Sequence, residues 1–248
     1  NGRFITPFGK MIRVLPHPYG LTVSPNGKWV ITACSQGPML SLLDVSNPHE
    51  PREFRIPENA QEGKSVLDAC FMGLAVNPEN QVLYVAGGGD YSVMAFDIAT
   101  RKRLFRIDCA HETAGLTFPY GYIGDLRLTA DGQTIYAVDQ SNFRLVVIDV
   151  PAQKVLRSIP VGRYPFGITL SPDGTKAYIA NVGIYEYAYF RDEKGEIAKL
   201  PFPPFGVPSP EAESGLVMDG IRIPGLGDPN DTRGMSVWTV DISEKGKE

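Results

Sequence analysis

The stretch Ser171–Asn181, with the sequence SPDGTKAYIAN, decides the fold of this chain. Its first four residues are typical of a tight turn, because proline presets φ and glycine accepts positive φ. The residues 177–180 that follow are rich in aromatic and β-branched types, which favour strands. Before the turn, Ile168 and Leu170 alternate with other residues, as in a strand with one buried face. The stretch therefore predicts a β-hairpin.

The same hairpin pattern occurs four times along the chain, with turns at 24–27, 77–80, 129–132 and 171–174. A third predicted strand ends in an aspartate in every copy, namely in Asp44, Asp97, Asp149 and Asp241. Outer strands at 102–107 and 154–159 complete the unit in the second and third copies. A repeated four-stranded antiparallel unit of this length is typical of a β-propeller blade.

We therefore predict an all-β chain, a β-propeller with about four blades of four antiparallel strands each. The predicted boundaries are an N-terminal closing strand in 1–16 and blades at 17–66, 67–112, 113–161 and 162–248. In the fourth copy the third strand follows about 50 residues late, so an insert is expected at 183–235.

Composition excludes several function classes. The net charge of −4 comes from basic and acidic residues that are interspersed, so neither nucleic acid nor an anionic membrane surface is an expected partner. No apolar stretch approaches the length of a membrane span. The three cysteines follow no metal-ligand spacing and leave one thiol over in any pairing scheme; we interpret them as ordinary small buried residues, with their pairing left open.

The tetrapeptide Tyr178-Ile179-Ala180-Asn181 resembles the signature of the YVTN β-propeller repeat family. The opening residues 1–10 and the segment 224–230 resemble bacterial proteins in which such a propeller precedes an alkaline-phosphatase-type phosphoesterase domain. That resemblance implies seven blades, a last blade completed by residues 10–14, and a periplasmic or secreted location. It also implies that this chain is an N-terminal piece of a longer protein, whose remaining blades or phosphoesterase domain would be its partners.

Catalytic chemistry is not indicated by the sequence. His17, His49 and His111 fall in separate loops without zinc-ligand spacing, and no Gly-x-Ser-x-Gly motif occurs. We predict no catalytic residue, no metal site and no cofactor in this chain. The third-strand aspartates are expected to accept hydrogen bonds from turns rather than to form a carboxylate ring. The glycine-rich loop 87–90 is interpreted as a hairpin loop, with a ligand-lining backbone as the alternative.

The loops that enter each innermost strand are the predicted binding region, because in a propeller they surround one mouth of the central channel. Three of them share an aromatic theme, at 17–20, 118–121 and 164–167. The aromatic rings could serve only to pack between blades, or they could form a ligand or partner surface. The candidate residues are His17, Tyr19, Tyr120, Asp125, Tyr164, Phe166 and Asn181, with Tyr185 and Tyr187 of the insert.

Three functions remain open at this point. The first is a non-catalytic scaffold or binding propeller associated with a phosphoesterase, a hydrolase domain outside this chain. The second is a lactonase-like propeller enzyme acting on a sugar lactone, which rests on fold analogy. The third is a stand-alone surface interaction protein.

Overall fold

The structure is a computed structural model that describes residues 11–34, 37–58, 66–183, 190–191, 197–198, 216–218, 221–223 and 235–243. Blade 1 contains β1 (Pro18–Val23), β2 (Trp29–Cys34), β3 (Met39–Asp44) and β4 (Arg52–Ile56). Blade 2 contains β5 (Leu74–Val76), β6 (Val82–Ala86), β7 (Ser92–Asp97) and β8 (Arg103–Asp108). Each is a meander in which neighbouring strands pair antiparallel.

Between blades 2 and 3 the chain forms a small hairpin of β9 (His111–Thr113) and β10 (Leu116–Phe118). The turn of the hairpin places Ala114 and Gly115 at positive φ, 53° and 74°, which suits a tight two-residue connection. The hairpin lies against the outer strand of blade 3.

Blade 3 contains β11 (Ile123–Leu128), β12 (Thr134–Asp139), β13 (Arg144–Asp149) and β14 (Lys154–Pro160). Blade 4 begins with β15 (Pro165–Leu170) and β16 (Lys176–Asn181). The short strands β17 (Phe190–Arg191), β18 (Ile197–Ala198), β19 (Leu216–Met218) and β20 (Ile221–Ile223) form two separate two-stranded pairs within the insert. The third strand of blade 4 is β21 (Ser236–Asp241), which pairs directly with β16.

The blades follow one another around a common axis. The innermost strands β1, β5, β11 and β15 contact one another in chain order. At one of these contacts, the amide of Gly73 in blade 2 donates to the carbonyl of Gly124 in blade 3 over 3.0 Å. The all-β propeller prediction is therefore confirmed, with four consecutive blades.

The core is divided into three layers, each between two consecutive blades. We call the face of a blade that meets the next blade its trailing face and the opposite face its leading face. Ile31 and Leu42 on the trailing face of blade 1 pack with Leu83 and Phe96 on the leading face of blade 2. Equivalent layers lie between blades 2 and 3 and between blades 3 and 4. Strand alternation thus gives each inner blade two buried faces.

The N-terminal residues that the structure describes lie beside blade 1. Residues 11–14 form no strand here, and the amide of Leu15 donates to Ser41 Oγ over 3.1 Å. The expectation that residues 10–14 complete a last blade stays a prediction, since that strand would need a neighbouring blade to pair with.

Candidate functional site

The mouth of the channel is built at the starts of the innermost strands. In three blades the register with the second strand shifts by one residue there, so Tyr19, Gly124 and Phe166 are bulge residues at equivalent positions. Two residues before the bulge, His17 and Tyr164 both have left-handed φ values, 53° and 52°. A bulge re-aims the side chains next to it, which is why these aromatic residues lie at the channel mouth instead of in the inter-blade layers.

Five aromatic side chains form one connected group, which we call the mouth cluster. The Phe71 ring lies at its centre, with centroids 6.0 Å from Tyr19, 5.2 Å from Tyr122 and 6.3 Å from Phe166. The Tyr164 ring lies 6.2 Å from Phe166. The tilted and edge-on geometries are those that aromatic quadrupoles favour. Every blade contributes at least one ring to this cluster.

The predicted site residues are only partly brought together. Tyr19, Tyr164 and Phe166 belong to the mouth cluster, and His17 lies exposed beside it, two residues before Tyr19. Tyr120 is 56% exposed, and its carbonyl accepts a hydrogen bond from Asn142. Tyr185 and Tyr187 lie outside the described residues.

The third copy of the aromatic motif was placed wrongly on the fold. In blade 3 the residue equivalent to His17 and Tyr164 is Tyr122, not the Phe118 of the motif, because Gly124 is the bulge residue there. Phe118 ends β10 and stacks on His111. Sequence reasoning also missed Phe71. The spacing from the turns identifies both residues: Tyr122 lies eight residues before Ala130, and Phe71 lies seven residues before Pro78. The composition of the aromatic motif does not identify them.

The glycine-rich loop of blade 2 supports the mouth cluster. The Tyr122 ring lies so close to Gly88 that a Cβ there would be 3.3 Å from the phenol, and Gly88 has a φ of 54°. A side chain at position 88 would therefore crowd the Tyr122 ring, on a backbone conformation that glycine adopts most readily. This loop packs against an aromatic ring, which is a structural role.

Asp125, which follows the bulge residue Gly124, is buried, and both of its carboxylate oxygens accept hydrogen bonds. Its Oδ2 accepts from the amide of Ile168 in blade 4 over 3.1 Å. Its Oδ1 accepts from the amide of Leu126 and from Arg127 Nη1, both over 2.8 Å. The carboxylate thus joins the innermost strands of blades 3 and 4. At the position that corresponds to Asp125, blades 1, 2 and 4 have glycine.

The second strands of blades 3 and 4 end in different polar residues, Asp139 and Asn181. In blade 3, Asp139 accepts from the Tyr91 hydroxyl of blade 2 over 2.9 Å and from Asn142 Nδ2 over 2.6 Å. Burial, followed by the charge of Asp139, raises the pKa of Tyr91 above its ordinary value. In blade 4 the equivalent residue is Asn181, whose Nδ2 donates to the Ile179 carbonyl over 3.1 Å, while its buried Oδ1 has no hydrogen-bond partner.

The equivalence of Tyr91 and Phe143 explains that unpaired oxygen. Both residues have left-handed φ, and both carbonyls accept from the residue after the outer strand, namely from Cys109 and Val161. Tyr91 supplies a hydroxyl to Asp139 in the next blade. Phe143 is the corresponding residue of blade 3, the blade that precedes Asn181 of blade 4, and its side chain has no hydroxyl.

Ser158 of blade 3 is hydrogen-bonded to His111, as a serine nucleophile is to its base, but the pair lacks the other features of a catalytic site. His111 Nδ1 lies 2.7 Å from the Cys109 carbonyl, so it carries the proton, and Nε2 accepts from Ser158 Oγ over 2.7 Å. Arg144 Nε donates to the same Oγ over 2.6 Å. Ser158 is buried, and its own amide donates to Thr113 Oγ1, so that amide is not free to stabilise an oxyanion. The group anchors the β9–β10 hairpin.

The third-strand aspartates act in turns, as predicted. Each carboxylate accepts from a backbone amide two or three residues later, with distances of 2.6–2.9 Å. Hydrogen bonds from Ser46 to Asp44 and from Thr100 to Asp97 hold the pKa of both carboxyls below the ordinary value. They do not form a carboxylate ring.

Within the described residues, no group of three or more His, Cys, Asp or Glu side chains could hold a metal ion. All three thiols are free in the structure. The described part of the chain contains no helix long and apolar enough to cross a membrane.

Comparison with known proteins supports the fold alone. No protein-family model and no curated protein matches the sequence. Hydrazine synthase of Kuenenia stuttgartiensis is similar over 71% of this chain and 45% of its own length, with 20% identity and a TM-score of 0.50. A protein from Lactobacillus plantarum is similar over 78% of this chain and 60% of its own length, with 16% identity and a TM-score of 0.52. This chain therefore spans less than two thirds of either solved chain.

Proposed function

We propose that this chain is a non-catalytic binding segment of a β-propeller, and that the mouth cluster is the surface that takes a ligand or partner. One observation carries the proposal. The three inter-blade layers are complete without the rings of the mouth cluster, and Tyr19 is left 59% exposed. Aromatic side chains that are collected at one end of the innermost strands and are not needed in the core are typical of binding sites.

A finer form of the proposal rests on the sequence resemblance. In that form the propeller serves as a scaffold for a phosphoesterase domain outside these residues, in the periplasm or outside the cell. The partners are then the remaining blades or that hydrolase domain, and a small molecule or a protein segment binds at the mouth. The interspersed charge argues against nucleic acid as a partner.

The lactonase alternative is less well supported. Such an enzyme needs a carboxylate or imidazole that is free to activate water. Asp125 already accepts three hydrogen bonds, and Asp139 is shared between Tyr91 and Asn142. His17 is exposed and, among the described contacts, has no hydrogen-bonded carboxylate to orient it.

Hydrolysis assays test the non-catalytic part of the proposal. We expect no turnover of p-nitrophenyl phosphate, bis-p-nitrophenyl phosphate or gluconolactone above buffer, with Zn²⁺, Mg²⁺ or Ca²⁺ added. Turnover that disappears in His17→Ala or Asp125→Asn would overturn it.

The binding part is tested by saturation-transfer NMR with phenol, indole and cellobiose as probes. Tyr19→Ala and Phe166→Ala should remove the transfer, whereas Leu104→Ala, which removes an exposed side chain on the rim of blade 2, should keep it. Transfer that is absent in the native chain, or equal in all variants, contradicts a binding mouth.

A further inference from the structure

The trailing face of blade 4 is exposed although it has the composition of a buried face. Two cross-strand rows form it. Ala180 pairs with Val237, and Tyr178 pairs with Thr239. Val237 is 68% exposed, and Ala180 and Thr239 are exposed as well.

The same two rows are buried in the other blades. In blade 2 the first row is Ala86 with Val93, the same residue types as in blade 4, and both are fully buried against blade 3. In the second row, Tyr84 of blade 2 and Tyr136 of blade 3 occupy the position of Tyr178, and both are buried against the following blade. Blade 4 thus repeats a contact surface that is covered twice elsewhere in the molecule.

We propose that the trailing face of blade 4 binds a further β-blade, through the same packing that joins blade 2 to blade 3. The face that it accepts presents aliphatic side chains in two rows. In blade 3 these rows are Leu126, Ala137 and Val146, then Leu128, Ile135 and Ile148. The contact is heterologous, since a trailing face meets a leading face of different composition.

A second copy of this chain fits the face less well. It would have to offer the leading face of its blade 1, where the central row contains the polar residues Thr32 and Ser41. Ser41 Oγ already accepts from the Leu15 amide and donates to Glu53 Oε1 over 2.6 Å. The leading faces of blades 2, 3 and 4 are aliphatic or aromatic at those positions, so a blade of their kind is the partner that the surface fits.

The test supplies such a blade. A second copy of residues 99–163 is fused directly after Ile242, so that β8 of the copy can pair with β21 as an outer strand and lead the chain to a duplicate of blade 3, which can dock on blade 4. In this background Val237→Cys is labelled with a maleimide under native conditions. The native thiols are slow competitors, because burial raises the pKa of Cys34, of Cys109 and, to about 11, of Cys70.

We expect the fused duplicate to slow labelling at position 237 at least tenfold. Labelling of Leu104→Cys, which lies on the rim of blade 2 and is 50% exposed, should not change. A second fusion that carries Leu126→Lys in the duplicate should restore fast labelling at position 237.

Unchanged labelling at position 237 in the fusion overturns the proposal. A duplicate that stays unfolded by circular dichroism counts against it equally, because blade 3 folds against the equivalent face of blade 2. The NMR probes report on the mouth cluster at the starts of the innermost strands, whereas labelling at position 237 reports on the trailing face of blade 4. A negative labelling result is therefore distinct from a negative result for binding at the mouth.

Discussion

At the residue scale, the structure is held together between blades by single polar contacts as well as by aliphatic layers. Asp125 joins β11 to the amide of Ile168, and Tyr91 joins β6–β7 of blade 2 to Asp139. Both contacts cross more than 40 positions of sequence. A buried acceptor without its donor costs about 1–3 kcal/mol, so each of these contacts affects the stability of a blade junction.

The unpaired oxygen of Asn181 leads to a stabilising substitution. Phe143→Tyr should place a hydroxyl where Tyr91 places one in the preceding blade, and it should raise the free energy of unfolding by about 1 kcal/mol. The matched change Tyr91→Phe should lower it by about 1–3 kcal/mol, since Asp139 loses a donor. Urea unfolding of both variants measures this. Destabilisation by Phe143→Tyr would show that the two positions are not equivalent.

The carboxyl of Asp173 makes a pH-dependent contribution to the free energy of unfolding. Hydrogen bonds from the Ser171 hydroxyl and from Thr175 lower the pKa of this carboxyl to about 2, against a value of 3.8 in the unfolded chain. The contribution is therefore present above pH 3.8 and is lost as the pH falls through about 2.

Asp173→Asn should remove that part of the acid dependence of the urea midpoint and leave the profile above pH 5 parallel to that of the native chain. An identical slope between pH 4 and pH 2 in both proteins would contradict the assignment. The matched control is Glu50→Gln, another exposed carboxyl near a turn.

At the element scale, the β9–β10 hairpin depends on the contacts of Ser158. Its hydroxyl donates to His111 and accepts from Arg144, whose guanidinium lies 4.4 Å from the centroid of the Phe118 ring. Burial lowers the pKa of Arg144 from its ordinary value, so the loss of an acceptor leaves a costly buried cation.

Ser158→Ala should therefore release the hairpin from blade 3. We expect amide exchange at residues 111–118 to accelerate at least tenfold, with β12 and β13 unchanged. Ser141→Ala, a change on the neighbouring turn, serves as the control. Exchange that stays slow in Ser158→Ala would mean that Phe118 and its neighbours hold the hairpin without the hydroxyl.

The strands were largely predictable, and the mouth only in part. Each turn such as Ser171–Gly174 carries local chemistry that fixes two strands, because proline and glycine act on their own φ values. The composition of the aromatic motif does not mark the bulge at Gly124, so it points to Phe118; only the spacing from the turn identifies Tyr122 and Phe71. The contacts that Phe71 makes with Tyr19 and Phe166, which lie 52 and 95 positions away, cannot be read from a single sequence.

At the scale of the whole molecule, blade 4 is continuous although its strands are not adjacent in sequence. Asn181 at the end of β16 is paired with Ser236 at the start of β21. The amide of Met235 donates to the Val182 carbonyl over 3.3 Å, and Gly183 and Met235 both have positive φ. These residues form a tight closure at the base of the insert.

Deleting residues 184–234 should therefore leave the blade intact, with Val182, Gly183 and Met235 as the turn. We expect the near-ultraviolet circular dichroism of Trp238 to be kept and the melting temperature to change by a few degrees. A deletion that exposes Trp238 to acrylamide quenching while blades 1–3 remain folded would show that blade 4 needs the insert. We also predict, from the aromatic residues of the insert, that it docks on the propeller or on a neighbouring domain; residue-level amide exchange of 184–234 tests this separately.

The closure between Asn181 and Ser236 also has a consequence for synthesis on the ribosome. The two residues are 55 positions apart, so at a translation rate of roughly 5–20 residues per second, β21 follows β16 by about 3–11 s. During that interval Ile179 can pack on blade 3, while the edge of β16 that later pairs with β21 has no strand beside it. A nascent chain stalled in the insert thus presents an unpaired strand edge, which is the kind of surface that chaperones bind and that neighbouring chains on a polysome can capture.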